Sequence, residues 1–187
     1  MTANRVVVFA LTLACAFVSS AQDKDILNKQ TPSAQRVIVG EVAPVTVAAG
    51  KSTHVSIPFR VAPGFHINSN KPKSELLLAT VMSLSPPTDV SVAKVTYPPG
   101  EDLTFSFAPT EPLNVYTGDF TINALVSPAR SSPPGTYRVR GALKYQACDN
   151  RACYPPGQVP LAFDVKVLKA PSTKHRRNPA QSPHVHQ

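Results

Sequence analysis

Thr136-Tyr-Arg-Val-Arg-Gly-Ala-Leu-Lys-Tyr145 puts Tyr137, Val139, Gly141, Leu143 and Tyr145 on alternating positions, with Arg138, Arg140 and Lys144 on the opposite side. A period of two marks a strand with one buried and one wet face. The same texture extends in both directions. Residues 36–47, 54–61, 76–84, 90–97, 103–107, 119–126 and 159–168 read as further strands, several of them short. Between them stand Pro63-Gly64, Pro86-Pro87, Pro98-Pro99-Gly100, Pro133-Pro134-Gly135 and Pro155-Pro156-Gly157. Proline cannot donate to a strand ladder, so prolines gathered where strands should end mark an ordered β fold and not a disordered chain. No stretch carries sustained helical spacing with caps, and no internal repeat is present. The expected class is all-β, a sandwich or barrel of antiparallel strands.

The ends of the chain have a different character. Residues 1–5 carry one positive charge, residues 6–18 are apolar or nearly so, and Ser19-Ser20-Ala21 are small. That order describes a secretory signal peptide, with cleavage expected after Ala21. The apolar run is shorter than the roughly 20 residues a membrane-crossing helix needs. Cys15 opens a lesser alternative, a lipid-modified cysteine, although Thr12-Leu13-Ala14 before it makes a poor lipobox. Residues 22–35 read as a polar linker. Residues 169–187, rich in Pro, Ser, Gln and His, read as a disordered basic tail. Residues 36–168 then form one domain, large enough for a core of its own. Export to the periplasm would place that domain where disulfides persist.

The net charge is +8, but Arg5 and four tail cations (Lys169, Lys174, Arg176 and Arg177) account for five of these charges. The +3 left over residues 22–168 is ordinary for a soluble domain. The tail has no Phe, Tyr or Trp on which bases could stack, so a nucleic-acid partner is not expected.

Beyond residue 21 there are two cysteines, in Cys148-Asp-Asn-Arg-Ala-Cys153, set in the connection between two expected strands. A tight turn through Asp149-Asn150 brings such a pair within the Cα separation of about 4.4–6.8 Å that a disulfide needs. As a staple the bond is weak: closing so short a loop contributes about 2 kcal/mol, against about 4.7 for a loop of roughly 100 residues. A short exposed loop is also a place where a disulfide can be reached and reduced. Spacing alone leaves both a redox pair and a structural hairpin clip open. Zinc would need a second ligand pair from His54, His66, His175, His184 or His186, and three of these lie in the tail. Neither metal nor cofactor is expected. Arg151 inside the loop and Lys144 before it are cations that could lower a thiol pKa. No histidine is adjacent in sequence to act as a base, and exchange does not require one, since the thiolate itself attacks.

Lys144-Tyr-Gln-Ala-Cys-Asp-Asn-Arg-Ala-Cys-Tyr-Pro-Pro156 resembles the active-site segment of the amino-terminal domain of DsbD, the bacterial transmembrane thiol:disulfide interchange protein. Pro63-Gly-Phe-His-Ile-Asn68 is similar to that family's Gly-aromatic strand beside the cysteines. The stretch from Tyr97-Pro-Pro-Gly100 through Phe107 to Val115-Tyr-Thr-Gly-Asp119 is similar to its cap-loop region. The resemblance spans residues 36–168 and implies an immunoglobulin-like antiparallel sandwich with Cys148 and Cys153 as the catalytic pair at one end. It implies a protein-disulfide reductase role: electrons arrive from a thioredoxin-like domain or protein linked to a transmembrane electron carrier. They leave to oxidised periplasmic proteins such as disulfide isomerases or cytochrome c maturation thioredoxins. By the same resemblance Cys153 forms the mixed disulfide and Cys148 resolves it. Phe107, or alternatively Phe105, is the cap aromatic that shields the pair. Phe65, His66, Tyr145, Tyr154 and Arg151 are the residues expected to line the site. Two departures stand out. The family's best-known member has one more residue between its cysteines, and this chain shows no transmembrane segment or thioredoxin-like Cys-x-x-Cys domain, so it reads as the delivery domain alone. The rival expectation is a non-catalytic immunoglobulin-like binding or assembly module with a permanent clip.

Overall fold

The computed structural model describes residues 35–172. The expected signal peptide with Cys15, the linker up to residue 34 and the tail beyond residue 172 lie outside the described residues.

The described chain is an all-β sandwich. Its first sheet has the order β1 (Val37–Val39), β3 (Thr53–Val61), β9 (Asp119–Pro128), β6 (Val90–Thr96), every neighbour antiparallel. Its second has the order β2 (Val45–Ala48), β12 (Gly157–Leu168), β10 (Gly135–Tyr145), β5 (Val81–Ser85). Only the β2–β12 pairing in that sheet is parallel. The inward sides of the two sheets share one core: Val55, Ile57, Phe59, Ile122 and Ala124 from the first meet Val139, Leu143, Val159, Phe163 and Val165 from the second. Phe59 stacks on Phe120 at 5.4 Å between ring centroids, and Phe120 on Tyr116 at 4.8 Å.

A third, smaller sheet carries the cysteine end. Its order is β11 (Ala147–Cys148), β4 (His66–Asn68), β8 (Ala108–Tyr116), β7 (Glu101–Phe105). Tyr116 belongs to β8 and also to the Phe59–Phe120 stack, so the main core supports the sheet that positions the site.

Several expected strands have different limits, each for a local reason. The stretch 36–47 is two strands: β1 pairs with β3, residues 40–44 cross over, and β2 joins β12 in the other sheet. Pro44, which cannot donate, stands in that crossing. The stretch 76–84 is extended only from Val81. Leu76-Leu77-Leu78 does not alternate; Leu77 N–H donates to the Ser74 carbonyl in a turn, and Leu76 is 93% exposed. The stretch 103–107 ends as a strand at Phe105, leaving Ser106-Phe107 as the tip of the β7–β8 hairpin. Strand β8 was not expected as such, because Pro109 and Pro112 interrupt it and its first five residues lie at or near the surface.

On β10 the expected alternation is present, with Val139 and Leu143 buried and Arg138, Arg140 and Lys144 exposed. Gly141 faces Leu84 of β5 and Leu161 of β12. A Cβ there would run into the Ser83 carbonyl oxygen and the Leu84 side chain, so glycine is what lets β5 close on β10.

Candidate functional site

Strand β10 ends at Tyr145, and Gln146 turns the chain into β11. Cys148 and Cys153 then face each other across a short antiparallel bridge. Tyr154 N–H donates to the Ala147 carbonyl at 2.9 Å and Asp149 N–H to the Ala152 carbonyl at 3.0 Å. These bonds bracket the cysteines, which therefore occupy the narrow, non-hydrogen-bonded position of the hairpin. Their Cα atoms are 3.9 Å apart, closer than the separation usual for a bridged pair, and a disulfide joins them.

The turn is built around Asp149. Its Oδ1 accepts from Arg151 N–H at 2.7 Å and Ala152 N–H at 2.9 Å, the self-capping habit of aspartate in turns. Its Oδ2 accepts from the Tyr154 hydroxyl at 2.7 Å. The tyrosine bond and the two backbone donors hold the carboxyl at about 2, well below the ordinary range, and raise the Tyr154 phenol in return. A depressed carboxylate stabilises the fold above its unfolded value near pH 4 and loses that contribution as pH falls through about 2. Urea midpoints measured between pH 4 and 2 should therefore fall less steeply for Asp149→Asn than for the wild type. Equal slopes would mean that the hairpin does not draw on this charge.

Arg36, just ahead of β1, lies across the far side of the hairpin. Its guanidinium carbon is 3.7 Å from the Tyr154 ring centroid and 5.3 Å from that of Phe65, a cation–π arrangement. Phe65 and Tyr154 also touch, with centroids 5.8 Å apart. Tyr145 is half-buried opposite Gly157, and burial raises its phenol pKa. Of the two cations singled out in sequence, Arg151 and Lys144 are both exposed.

Opposite Cys148, across β4, stands His66. A turn at Ala62-Pro63-Gly64-Phe65 brings it there: Phe65 N–H donates to the Ala62 carbonyl, and Gly64 has φ 80°. Proline then glycine at the centre is the pattern of a type II turn. Nothing crowds Gly64, so Gly64→Ala should cost only the left-handed backbone strain, about 1–2 kcal/mol, in thermal unfolding. No loss at all would mean that the turn relaxes. The His66 ring stacks on Phe105 at 3.8 Å, and Phe107 stacks outside Phe105 at 5.6 Å. Phe107 is 41% exposed at the hairpin tip, and its neighbour Ser106 donates its hydroxyl to the Asn150 carbonyl at 2.8 Å. The β7–β8 tip thus touches the cysteine turn. A cleft of about 550 Å³ opens beside them, lined by Gly64, Phe65, His66, Phe105, Thr117 and Asn150 among others.

The two cysteines are unlike. Cys148 is wholly buried and Cys153 is exposed. Among the described residues no three His, Cys, Asp or Glu side chains gather as a metal site.

The family model described as "Thiol:disulfide interchange protein DsbD, N-terminal" matches residues 34–163, more than half of the chain. The chain belongs to this family. Among solved structures it is similar to the reduced DsbD N-terminal domain of Neisseria meningitidis, at 22% identity and TM-score 0.39, covering 63% of this chain and 80% of that one. The N-terminal periplasmic domain of ScsB from Proteus mirabilis is similar at 17% identity and TM-score 0.48, over 71% of this chain and 48% of that one. A complex of the meningococcal DsbD N-terminal and PilB N-terminal domains gives 22% identity and TM-score 0.41, over 73% and 88%. No curated protein matches the chain. For this DsbD N-terminal family member, sequence reasoning had no means of finding Arg36 or Ser106. Each reaches the hairpin from a distant strand or turn, and neither sits in a motif of its own. Asp149 was legible as a turn residue, though not as the acceptor for Tyr154.

Proposed function

We propose that this chain is a periplasmic thiol–disulfide exchange module. It takes reducing equivalents from a membrane-linked thioredoxin-like donor and passes them to oxidised exported proteins through Cys148 and Cys153. The single observation that carries this reading is the asymmetry of the pair: an exposed Cys153 bonded to a wholly buried Cys148. A permanent clip has no use for one reachable sulfur, whereas exchange needs one sulfur to meet the partner and one to resolve.

A donor thiolate attacks the Cys153 sulfur, the Cys148–Cys153 bond breaks, and Cys148 leaves with the electron pair. The donor's second thiol then attacks the mixed disulfide and frees Cys153, so the donor is oxidised as the pair is reduced. Delivery runs the same steps in reverse on an oxidised substrate. Phe105 stacked over His66, with Phe107 outside it, forms an aromatic flank on the Cys148 side and leaves Cys153 open to a partner. Phe65, Tyr154 and Arg36 hold the other flank.

The test is transfer itself. The reduced chain is mixed with an oxidised thioredoxin-fold disulfide isomerase, quenched with an alkylating reagent and weighed. The two free thiols of Cys148 and Cys153 should be lost as their disulfide forms, and two alkylatable thiols should appear on the isomerase. No movement, together with no reduction of the chain by a thioredoxin-like dithiol, would leave a structural clip.

A further inference from the structure

We infer that His66 is the general base that takes the proton from the buried Cys148 thiol when this cysteine resolves a mixed disulfide held on Cys153. The inference rests on the exchange function proposed above and gives one more residue a part in it.

Three observations meet at this point. His66 and Cys148 are directly paired across the β4–β11 ladder. Cys148 is 0% exposed, so bulk water is not at hand to accept its proton. His66 is itself 2% exposed, and its Nε2 is buried with no hydrogen-bond partner. A buried polar atom without a partner costs about 1–3 kcal/mol and calls for an explanation. Here the explanation is the redox state. In the disulfide, Cys148 has no proton to share. Reduction creates an S–H at the register position facing His66, a donor of the kind the idle nitrogen lacks.

The surroundings suit a base. Burial lowers the imidazole's pKa and keeps it neutral, and the Asp149 carboxylate opposes that effect, favouring the imidazolium once formed. The one charged side chain lining this cleft is Arg60, whose charge is engaged by Asp119 at 2.6 Å. From the β7–β8 tip come only the uncharged rings of Phe105 and Phe107. The step then reads: Nε2 takes the proton from Cys148, the resulting thiolate attacks the Cys153 sulfur, the Cys148–Cys153 bond forms, and the substrate leaves as a thiolate. The imidazolium passes its proton to that thiolate or to solvent. The substrate gains the two electrons the cysteine pair gives up.

The experiment follows the reduced full chain reacting with dithiobis(nitrobenzoate). A first coloured thiolate is released when Cys153 attacks and a second when Cys148 resolves. In the wild type the second phase should rise through an inflection below 6.5, the ordinary histidine value, and level off above it. His66→Gln should slow the second phase about 100-fold at pH 7 and leave the first unchanged. The variant should recover as pH approaches the pKa of the thiol itself. A wild-type inflection above pH 8, or a second phase equally fast in His66→Gln, overturns the inference. The wild-type profile needs no variant, so a misfolded His66→Gln does not protect the claim. Absence of both phases in the wild type would overturn the exchange function and this inference with it. A normal first phase with a histidine-independent second phase would overturn this inference alone.

Discussion

Cys153→Ala is expected to stop thiol transfer completely, and Cys148→Ala to stop turnover while a partner accumulates as a stable mixed disulfide on Cys153. The difference follows from exposure: an incoming sulfur can reach Cys153, whereas Cys148 lies wholly within the fold. Without Cys148 nothing resolves the mixed disulfide, so non-reducing gels and mass spectrometry should show one partner per chain. Unfolding does not account for such a loss. The clip closes a loop of only a few residues and contributes about 2 kcal/mol, against a typical domain stability of about 5–15 kcal/mol. Partner trapping only through Cys148, seen in Cys153→Ala, would reverse the roles of the two sulfurs.

The second large effect is on stability. Phe59 is 2% exposed at the centre of the sandwich and stacks on Phe120, which in turn stacks on Tyr116 of the site-bearing sheet. Phe59→Ala removes the ring and leaves a cavity that a two-sheet core cannot collapse to fill. A loss of about 3–5 kcal/mol is expected, which for a domain of this size moves the urea midpoint by roughly 2 M. Leu76→Ala is the control, an equally apolar residue that is 93% exposed and should change stability by no more than about 0.5 kcal/mol. Similar losses in the two variants would contradict the placement of the core.

Much of the fold was legible because one face of most strands is dry and the other wet. That alternation survives on β3, β9, β10 and β12, where inward residues are buried and outward ones are not. It fails on β8, where prolines interrupt the pattern and the outer half lies at the surface, and in the Leu76-Leu77-Leu78 run, where three apolar residues follow one another into a turn. A sandwich and a barrel share the same alternation, so periodicity alone left both open. The pairing of β1 with one sheet and β2 with the other belongs to the sandwich.

The cysteine hairpin was readable for a similar reason, since aspartate and asparagine between close cysteines report a turn directly. Contacts made by pairing distant strands left no such trace. His66 was expected to line the site only through the resemblance of residues 63–68 to the family's strand beside the cysteines; no spacing rule places it there, and its position opposite Cys148 follows from the pairing of β4 with β11. Arg36 reads as the start of a strand, and its place over Tyr154 follows only from where β1 runs in the sheet. The motif-bearing residues were thus visible in sequence, and the groups that surround them were assembled by topology.

The most direct test of the central claim is the reduction potential of the Cys148–Cys153 pair, measured by equilibrating the purified chain with glutathione buffers. A value above about −300 mV is predicted, the range of exchangeable disulfides. A value well below about −300 mV would contradict the account and make the pair a structural clip in an immunoglobulin-like binding module.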